Sequence, residues 1–485
     1  MGVERACIIG AGSSGIVAAK ILHERGIPFD CYEKGSGIGG NWRYDNDNGM
    51  SSIYQSLHIN TSRDRMAYAD FPMPRHYPDF LHHTQVLAYF EDYVDHFGIR
   101  KRITSRTEVL RVTPVGDGAY DVTVRGVGSG KIDTRRYGAV LVANGHHWDP
   151  NWPDVPGLFD GQMVHSHQYT TPETLVDKRV LIVGVGNSGC DIACEAALVA
   201  RHTLLSTRRG AHVMPKYILG KPLDTFATPL TSRLPFWVQR RVFQILLFLA
   251  RGKQSGYGFP TPDYPFGSEH PTISSDLLNL VGHGKIDIRP DLDCLAGDRA
   301  CFVDGTDAAV DVVIFATGYK VTFPFFDEDF LKAEANRLPA YLHVVPPEHP
   351  NLYLIGLLQP LGAVMPLAEA QCEWVADLLE GRAGLPPKAR MWTAIKKEEA
   401  KVARRYVPSK RHTIQVDFYP YKHAVERERR RGRRRAPKQA LPPPEDPLPE
   451  PAVRPATPRS RAVKLPSRKD RPARGGYVLP GQGVD

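Results

Sequence analysis

Two turns of the pattern Gly-x-Gly-x-x-Gly constrain this chain of 485 residues more than any other feature: Gly10-Ala-Gly12-Ser-Ser-Gly15 and Gly184-Val-Gly186-Asn187-Ser188-Gly189. Each follows a short apolar run, Ala6-Cys-Ile-Ile in one case and Arg179-Val-Leu-Ile-Val in the other, and each opens a helical pattern. Strand, tight turn and helix in that order form a dinucleotide site. The first glycine permits the turn, the second lets backbone approach a pyrophosphate at the helix N-terminus, and the third lets helix and strand pack closely.

The two sites differ where the ribose is read. The strand Phe29-Asp-Cys-Tyr ends in Glu33, 18 residues after Gly15. A carboxylate there accepts from ribose hydroxyls and repels a 2′-phosphate. After the second turn, the strand His202-Thr-Leu-Leu-Ser leads into Thr207-Arg208-Arg209, and no Asp or Glu occurs between Glu195 and Asp224. Guanidinium groups in place of the acid hold a 2′-phosphate, so the second cofactor is expected to be NADPH. The glycine-rich stretch from Gly35 through Gly40 to Trp42 suits a further close approach of backbone to the first cofactor.

Spacing suggests duplication. Gly10 lies 135 residues before Gly145, where the strand-like Tyr137–Asn144 run stops, and Gly184 lies 134 residues before Gly318, where Asp311–Thr317 stops. The expected fold is α/β, with two Rossmann-like domains and the second inserted into the first. We expect residues 1–170 and 309–424 to form the first domain, 171–308 the insert, and 425–485 a disordered basic tail. Further expectations are a helix from Thr84 to Phe97, antiparallel strands within Val109–Val127, and a helix from Pro366 to Leu379 returning to the first domain. The apolar run Pro235–Ala250 is too short to span a membrane and is read as a buried helix, with interfacial contact as the alternative.

Charge and cysteine usage narrow the class. Residues 425–485 hold 16 Lys+Arg against 7 Asp+Glu, which accounts for the whole net charge of +9 and leaves the body neutral. With 12 prolines from Pro437 to Pro480, this tail is expected to be solvated, with weak contact to an anionic polymer or membrane surface as a further role. The seven cysteines include no C-x-x-C pair, which argues against a metal site, a disulfide scaffold and a dithiol reductase. That usage, with a strand in place of an apolar leader at the start, predicts a cytoplasmic protein.

Between the two turns lies Phe159-x-Gly161-x-x-x-His165-x-x-x-Tyr169. This resembles the identifying motif of the flavin-containing monooxygenases, which ends in Trp in the related Baeyer-Villiger enzymes. Ala316-Thr-Gly-Tyr319 follows in the expected order. The resemblance implies FAD at the first site and NADPH at the second. It also implies a C4a-hydroperoxyflavin that passes one oxygen from O2 to an amine nitrogen or sulfide sulfur, the chemistry of an N,N-dimethylaniline monooxygenase. By motif match, Asn60 is the catalytic amide beside the flavin. Glu33, Lys34, Gly40, Trp42 and Gln359 join Gly10, Gly12 and Gly15 at FAD, while Asn187, Ser188, Arg208 and Arg209 join Gly184, Gly186 and Gly189 at NADPH. His165 is read as a linker group rather than a base. Ketone oxygenation, or a flavin-bearing protein acting through its basic tail, are the alternatives, and an oligomer is compatible with either. The apolar C-terminal anchor of the animal enzymes has no counterpart here, which puts a stable membrane location in doubt.

Overall fold

The structure is a computed structural model, described for residues 4–331, 333–334, 336–407 and 413–436. The tail from 437 onward, with the expectations placed on it, lies outside the described residues.

The first parallel sheet runs, in spatial order, Leu352–Leu354, Ala139–Val142, Ala6–Ile9, Phe29–Tyr32 and Ile103–Thr104. Alternation along the central strand assigns its two faces. Ala6 and Ile8 join the core built with helices Ser13–Glu24, His83–His96 and Met365–Leu379. Cys7 and Ile9 face Val112, Tyr120, Val122 and Tyr137 of an antiparallel sheet, Thr107–Pro114, Tyr120–Gly126 and Ile132–Tyr137. A parallel strand covered on both sides is apolar throughout, which is why Ala6–Ile9 reads as a continuous run.

The second sheet repeats this plan in the order Gln162–His165, Val312–Phe315, Arg179–Val183, His202–Ser206 and Asp287–Arg289. Val180 and Ile182 pack toward helix Asn187–Val199, while Leu181 and Val183 pack on Leu295, Ala300 and Phe302 of a second antiparallel sheet.

The expected domain boundaries need correction. Gln162–His165 and Val312–Phe315 belong to the inserted sheet, so the insert reaches beyond 171–308 on both sides. The cause is register: Val180–Val183 pairs residue for residue with Val312–Phe315, and burying both faces of that central strand requires its neighbours. The chain crosses between domains at Asp149–Pro150 and Tyr319–Lys320, two segments that pair antiparallel as one ribbon. Phe159–Tyr169 is therefore the leading edge of the insert, not the joint itself.

The tail boundary at 425 is also too early. Phe418–Arg435 is a helix in which Val425 is fully buried, and its Arg429 and Arg433 hold the buried carboxylate of Asp377 at 2.7 and 2.8 Å. Arg25 also reaches Asp377, at 3.4 Å. These guanidinium groups pull the Asp377 carboxyl below its usual range against the opposing effect of burial. The arginine density that looked like solvated tail is thus partly consumed in packing this helix on Met365–Leu379. Truncation after Ala424 should therefore cost about 3–5 kcal/mol, because it strips a buried charge of its partners. Truncation after Ala436 should leave the melting temperature near that of the full chain. Equal melting curves for the two would refute this account.

Helix Phe236–Arg251 is half-buried rather than buried. Leu247 packs inward with Phe243 and Leu246, whereas Trp237, Ile245, Phe248 and Leu249 are exposed. Among the described residues, no helix is long and apolar enough to cross a membrane. The helix expected from Thr84 starts at His83 instead, capped by His82 in a reciprocal box with Gln85.

Candidate functional site

The two glycine turns have the same geometry. Gly10 (φ +95°) and Gly184 (φ +110°) take left-handed conformations, and a Cβ on either would stand 2.7 or 2.8 Å from the carbonyl oxygen of Ala143 or Ala316. A Cβ on Gly15 would overlap the Gly10 carbonyl, and one on Gly189 the Gly184 carbonyl. Gly12 and Gly186 sit at the N-caps of Ser13–Glu24 and Asn187–Val199, and neither receives a side-chain cap. The first-turn N–H groups of both helices therefore remain available to an anion, as a pyrophosphate requires.

Glu33 is buried beneath the first turn. Its Oε2 accepts from the Ala11 N–H at 2.9 Å, and its Oε1 accepts from the Gly35 N–H at 2.8 Å and from Asn48 Nδ2 at 3.1 Å. A carboxylate offers about four acceptor positions, so one remains for a ribose hydroxyl. Gly40–Trp42 forms a 3-10 turn, and a Cβ on Gly12 would meet Gly40 Cα at 3.6 Å, so the two glycine-rich segments close on one another. Lys34 turns elsewhere: it pairs with Glu108 at 3.1 Å, on the side of the antiparallel sheet. At the second site Arg208 and Arg209 are both exposed; Arg209 lies 3.8 Å from Asp263, and among the described residues no acid pairs with Arg208.

Asn60 sits on the loop after buried Ile59, and its Oδ1 is buried without a hydrogen-bond partner. Together with Asn187, from the start of the second helix, it lines a cavity of about 2060 Å³. Each domain thus contributes an asparagine to one space. Pro360, Leu361 and Gly362 also line it, while Gln359 just precedes them on a strand that pairs with Gln415–Asp417. Two further lining residues that no motif marks, Lys216 and Asp224, touch the Asn60 loop directly: Lys216 Nζ donates to Ile59 O at 3.2 Å, and Asp224 Oδ2 accepts from the Ser62 N–H at 2.6 Å.

The residues from Phe159 to Tyr169 are structural. Gly161 allows close approach, since a Cβ there would lie 2.5 Å from Asp311 O. Tyr169 is buried and its hydroxyl donates to Glu195, while Tyr54 of the first domain donates to Asp191 at 2.5 Å. Two tyrosines, one from each domain, therefore grip the same helix. His165 is fully buried, its Nδ1 accepts from the His167 N–H at 3.1 Å, and its ring lies 5.4 Å from that of Tyr319 in the Ala316–Tyr319 segment.

Burial, helped by His167, pushes the His165 imidazole down to about 4. It is neutral at neutral pH, as a linker residue rather than a base requires. An unfolded histidine titrates near 6.5, so between about 6.5 and 4 the unfolded chain binds more protons and stability falls as pH falls. The loss should reach up to about 3 kcal/mol by pH 4, and His165→Gln should remove that component. Identical pH dependence of the melting temperature in wild type and variant would defeat this.

The chain matches the family described as "Flavin-binding monooxygenase-like" over residues 3–428. It is 38% identical over 438 residues to flavin-containing monooxygenase 5 of Rattus norvegicus, covering 86% of this chain and 81% of that one. It is 34% identical over 436 residues to dimethylaniline monooxygenase [N-oxide-forming] 2 of Macaca mulatta, with the same coverage. Among solved structures it is similar to S-allyl-L-cysteine S-oxygenase from Allium sativum, with TM-score 0.67, 25% identity, and coverage of 88% of this chain and 89% of that one. Cyclohexanone monooxygenase shares the fold at TM-score 0.66 and 18% identity, over 89% of this chain and 98% of that one.

Proposed function

The chain belongs to the flavin-binding monooxygenase family, an enzyme family of FAD and NADPH, and from that premise we propose that it oxygenates a soft nucleophile, an amine nitrogen or a sulfide sulfur, using NADPH and O2. The observation that carries the reading is the cavity reached by both Asn60 and Asn187, with the Asn60 amide oxygen buried and unpartnered at its wall. Bound at the first site, FAD supplies two-electron chemistry with O2 at the expense of NADPH. The protein's own residues then have three tasks.

The first is binding. The Gly10–Gly15 turn, Glu33 and the Gly40–Trp42 turn fit FAD, with Gln359 on the segment alongside; the Gly184–Gly189 turn and Arg208 with Arg209 fit NADPH. Lys34, paired with Glu108, has the weakest claim to its place in the FAD set. The second is orientation of the reacting region by Asn60, whose amide presents both a donor and an acceptor. The third is exclusion of water, since apolar walls slow peroxide leakage. The free state of all seven cysteines suits a reducing compartment, and we place the enzyme in the cytoplasm.

Cofactor choice supplies a direct test. Arg208→Ala should raise the KM for NADPH by roughly 10- to 100-fold, the equivalent of one charge-assisted contact to phosphate, and leave the KM for NADH within about twofold. Equal effects on both would remove the 2′-phosphate assignment. Substrate class is tested by measuring product and peroxide per NADPH across tertiary amines, thioethers and ketones. Turnover confined to ketones would replace N- or S-oxygenation with the Baeyer-Villiger reading.

A further inference from the structure

We propose that Lys216 and Asp224, both from the inserted domain, are positioning residues that clamp the two flanks of the Asn60 loop, so that Asn60 is in register only when the NADPH domain is docked. The inference rests on the reading of Asn60 given above. The loop Ile59–Ser62 belongs to the first domain, yet its flanking polar groups are met from the second. Lys216 Nζ donates to Ile59 O at 3.2 Å, on the peptide that leads into Asn60, and Asp224 Oδ2 accepts from the Ser62 N–H at 2.6 Å, two residues beyond it.

The clamp is itself braced. The Lys216 N–H donates to Ser275 Oγ at 3.2 Å, and the Leu223 N–H donates to Lys216 O at 2.9 Å, which ties the two arms together. The Lys216 ammonium also stands 5.2 Å from the centre of the Phe80 ring, and Tyr217 donates to Asp79 Oδ2 at 3.0 Å, so the same strip grips a second segment of the first domain. Between the two arms Asn60 makes no bond through Oδ1. Its position is set by the backbone on either side, and that backbone is held across the domain interface. A rotation of the insert that loosens NADPH would thereby also release Asn60.

The test uses the full-length FAD enzyme with NADP⁺ bound, as wild type, Lys216→Met, Lys216→Arg, Asp224→Ala, Asp224→Asn and Asn60→Ala. Two quantities are read: amide hydrogen exchange in the peptide spanning 59–66, and the fraction of NADPH electrons released as hydrogen peroxide. Lys216→Met and Asp224→Ala should speed exchange about tenfold, the effect of losing one hydrogen bond that locks a segment, and should raise the peroxide fraction. Lys216→Arg keeps a donor and Asp224→Asn keeps an acceptor for the Ser62 N–H, so both should restore exchange and coupling toward wild type.

Unchanged exchange in Lys216→Met and Asp224→Ala overturns the clamp and leaves the role of Asn60 standing. Faster exchange with an unchanged peroxide fraction, while Asn60→Ala does leak, shows that the clamp holds the loop without positioning the amide, and overturns the proposal. If Asn60→Ala itself leaks no more than wild type, the reading of Asn60 fails first and the positioning role falls with it. The two arms are changed separately, and FAD content is measured in each, so a variant that misfolds leaves the other to decide.

Discussion

Asn60→Ala should purify yellow, with a full complement of FAD, accept hydride from NADPH at a near-normal rate, and lose oxygenated product by about 100-fold or more, the scale on which a single preorganised donor in a desolvated site acts. Retention of the cofactor follows from position: the glycine turns, Glu33 and the Gly40–Trp42 segment that fit FAD hold no bond to the Asn60 side chain, whose Oδ1 is unpartnered. Loss of product follows from the same unpartnered state, since the amide contributes nothing to the resting fold that a methyl group would fail to replace. The decisive measurement is product and hydrogen peroxide per NADPH consumed. Electrons should still flow, but appear as peroxide. An Asn60→Ala enzyme that makes product at the wild-type yield would show that the amide is only a wall of the cavity.

A second pair of variants separates the two cofactors. Gly15→Ala and Gly189→Ala place the same methyl in equivalent turns, where each overlaps the carbonyl oxygen of the first glycine of its own turn. Relief by moving that carbonyl is blocked, because Gly10 and Gly184 are already pressed against Ala143 and Ala316. Overpacking of this kind costs about 1–3 kcal/mol, and the displaced helix start also loses its aim at the pyrophosphate. Gly15→Ala should therefore emerge largely colourless, with FAD affinity reduced by at least about 100-fold, equivalent to about 3 kcal/mol. Gly189→Ala should remain yellow and be reduced by NADPH only at greatly raised concentrations. A yellow Gly15→Ala protein with normal flavin content would mean that this turn does not cradle FAD. Flavin absorbance after gel filtration decides between these outcomes.

Most of the architecture was legible in the sequence because both sheets are covered on two faces. Buried parallel strands read as continuous apolar runs, and Ala6–Ile9, Arg179–Val183 and Val312–Phe315 stand out for that reason. The near-equal spacing of the glycine turns and their closing strands matched a true structural repeat, down to the contacts of Gly10 with Ala143 and Gly184 with Ala316. The boundaries were harder. Gln162–His165 is too short and too polar to announce a strand, and its membership of the inserted sheet depends on pairing with Val312–Phe315, a partner some 150 residues away. Phe418–Arg435 was misjudged from its charge, since composition does not reveal that Asp377 lies ready to receive Arg429 and Arg433. At the site, motif residues could be named but their company could not. Lys216 and Asp224 carry no signature, because what matters about them is the carbonyl and N–H they meet across the interface. Lys34 shows the reverse error: adjacency to Glu33 suggested a shared role, but successive residues at a strand end point to opposite sides, and Glu108 claims its charge.

The ribbon in which Tyr319 pairs with Pro150 and Lys320 with Asp149 gives the insert an entrance and an exit side by side. A unit attached in that way is a cassette: its removal or replacement asks the host only to bridge a gap the width of one strand pair, while the host's own sheet, closed by Leu352–Leu354, keeps its path. Nicotinamide preference can then diverge from flavin chemistry along separate lineages of change, and a graft cut at this ribbon would be expected to move one without the other.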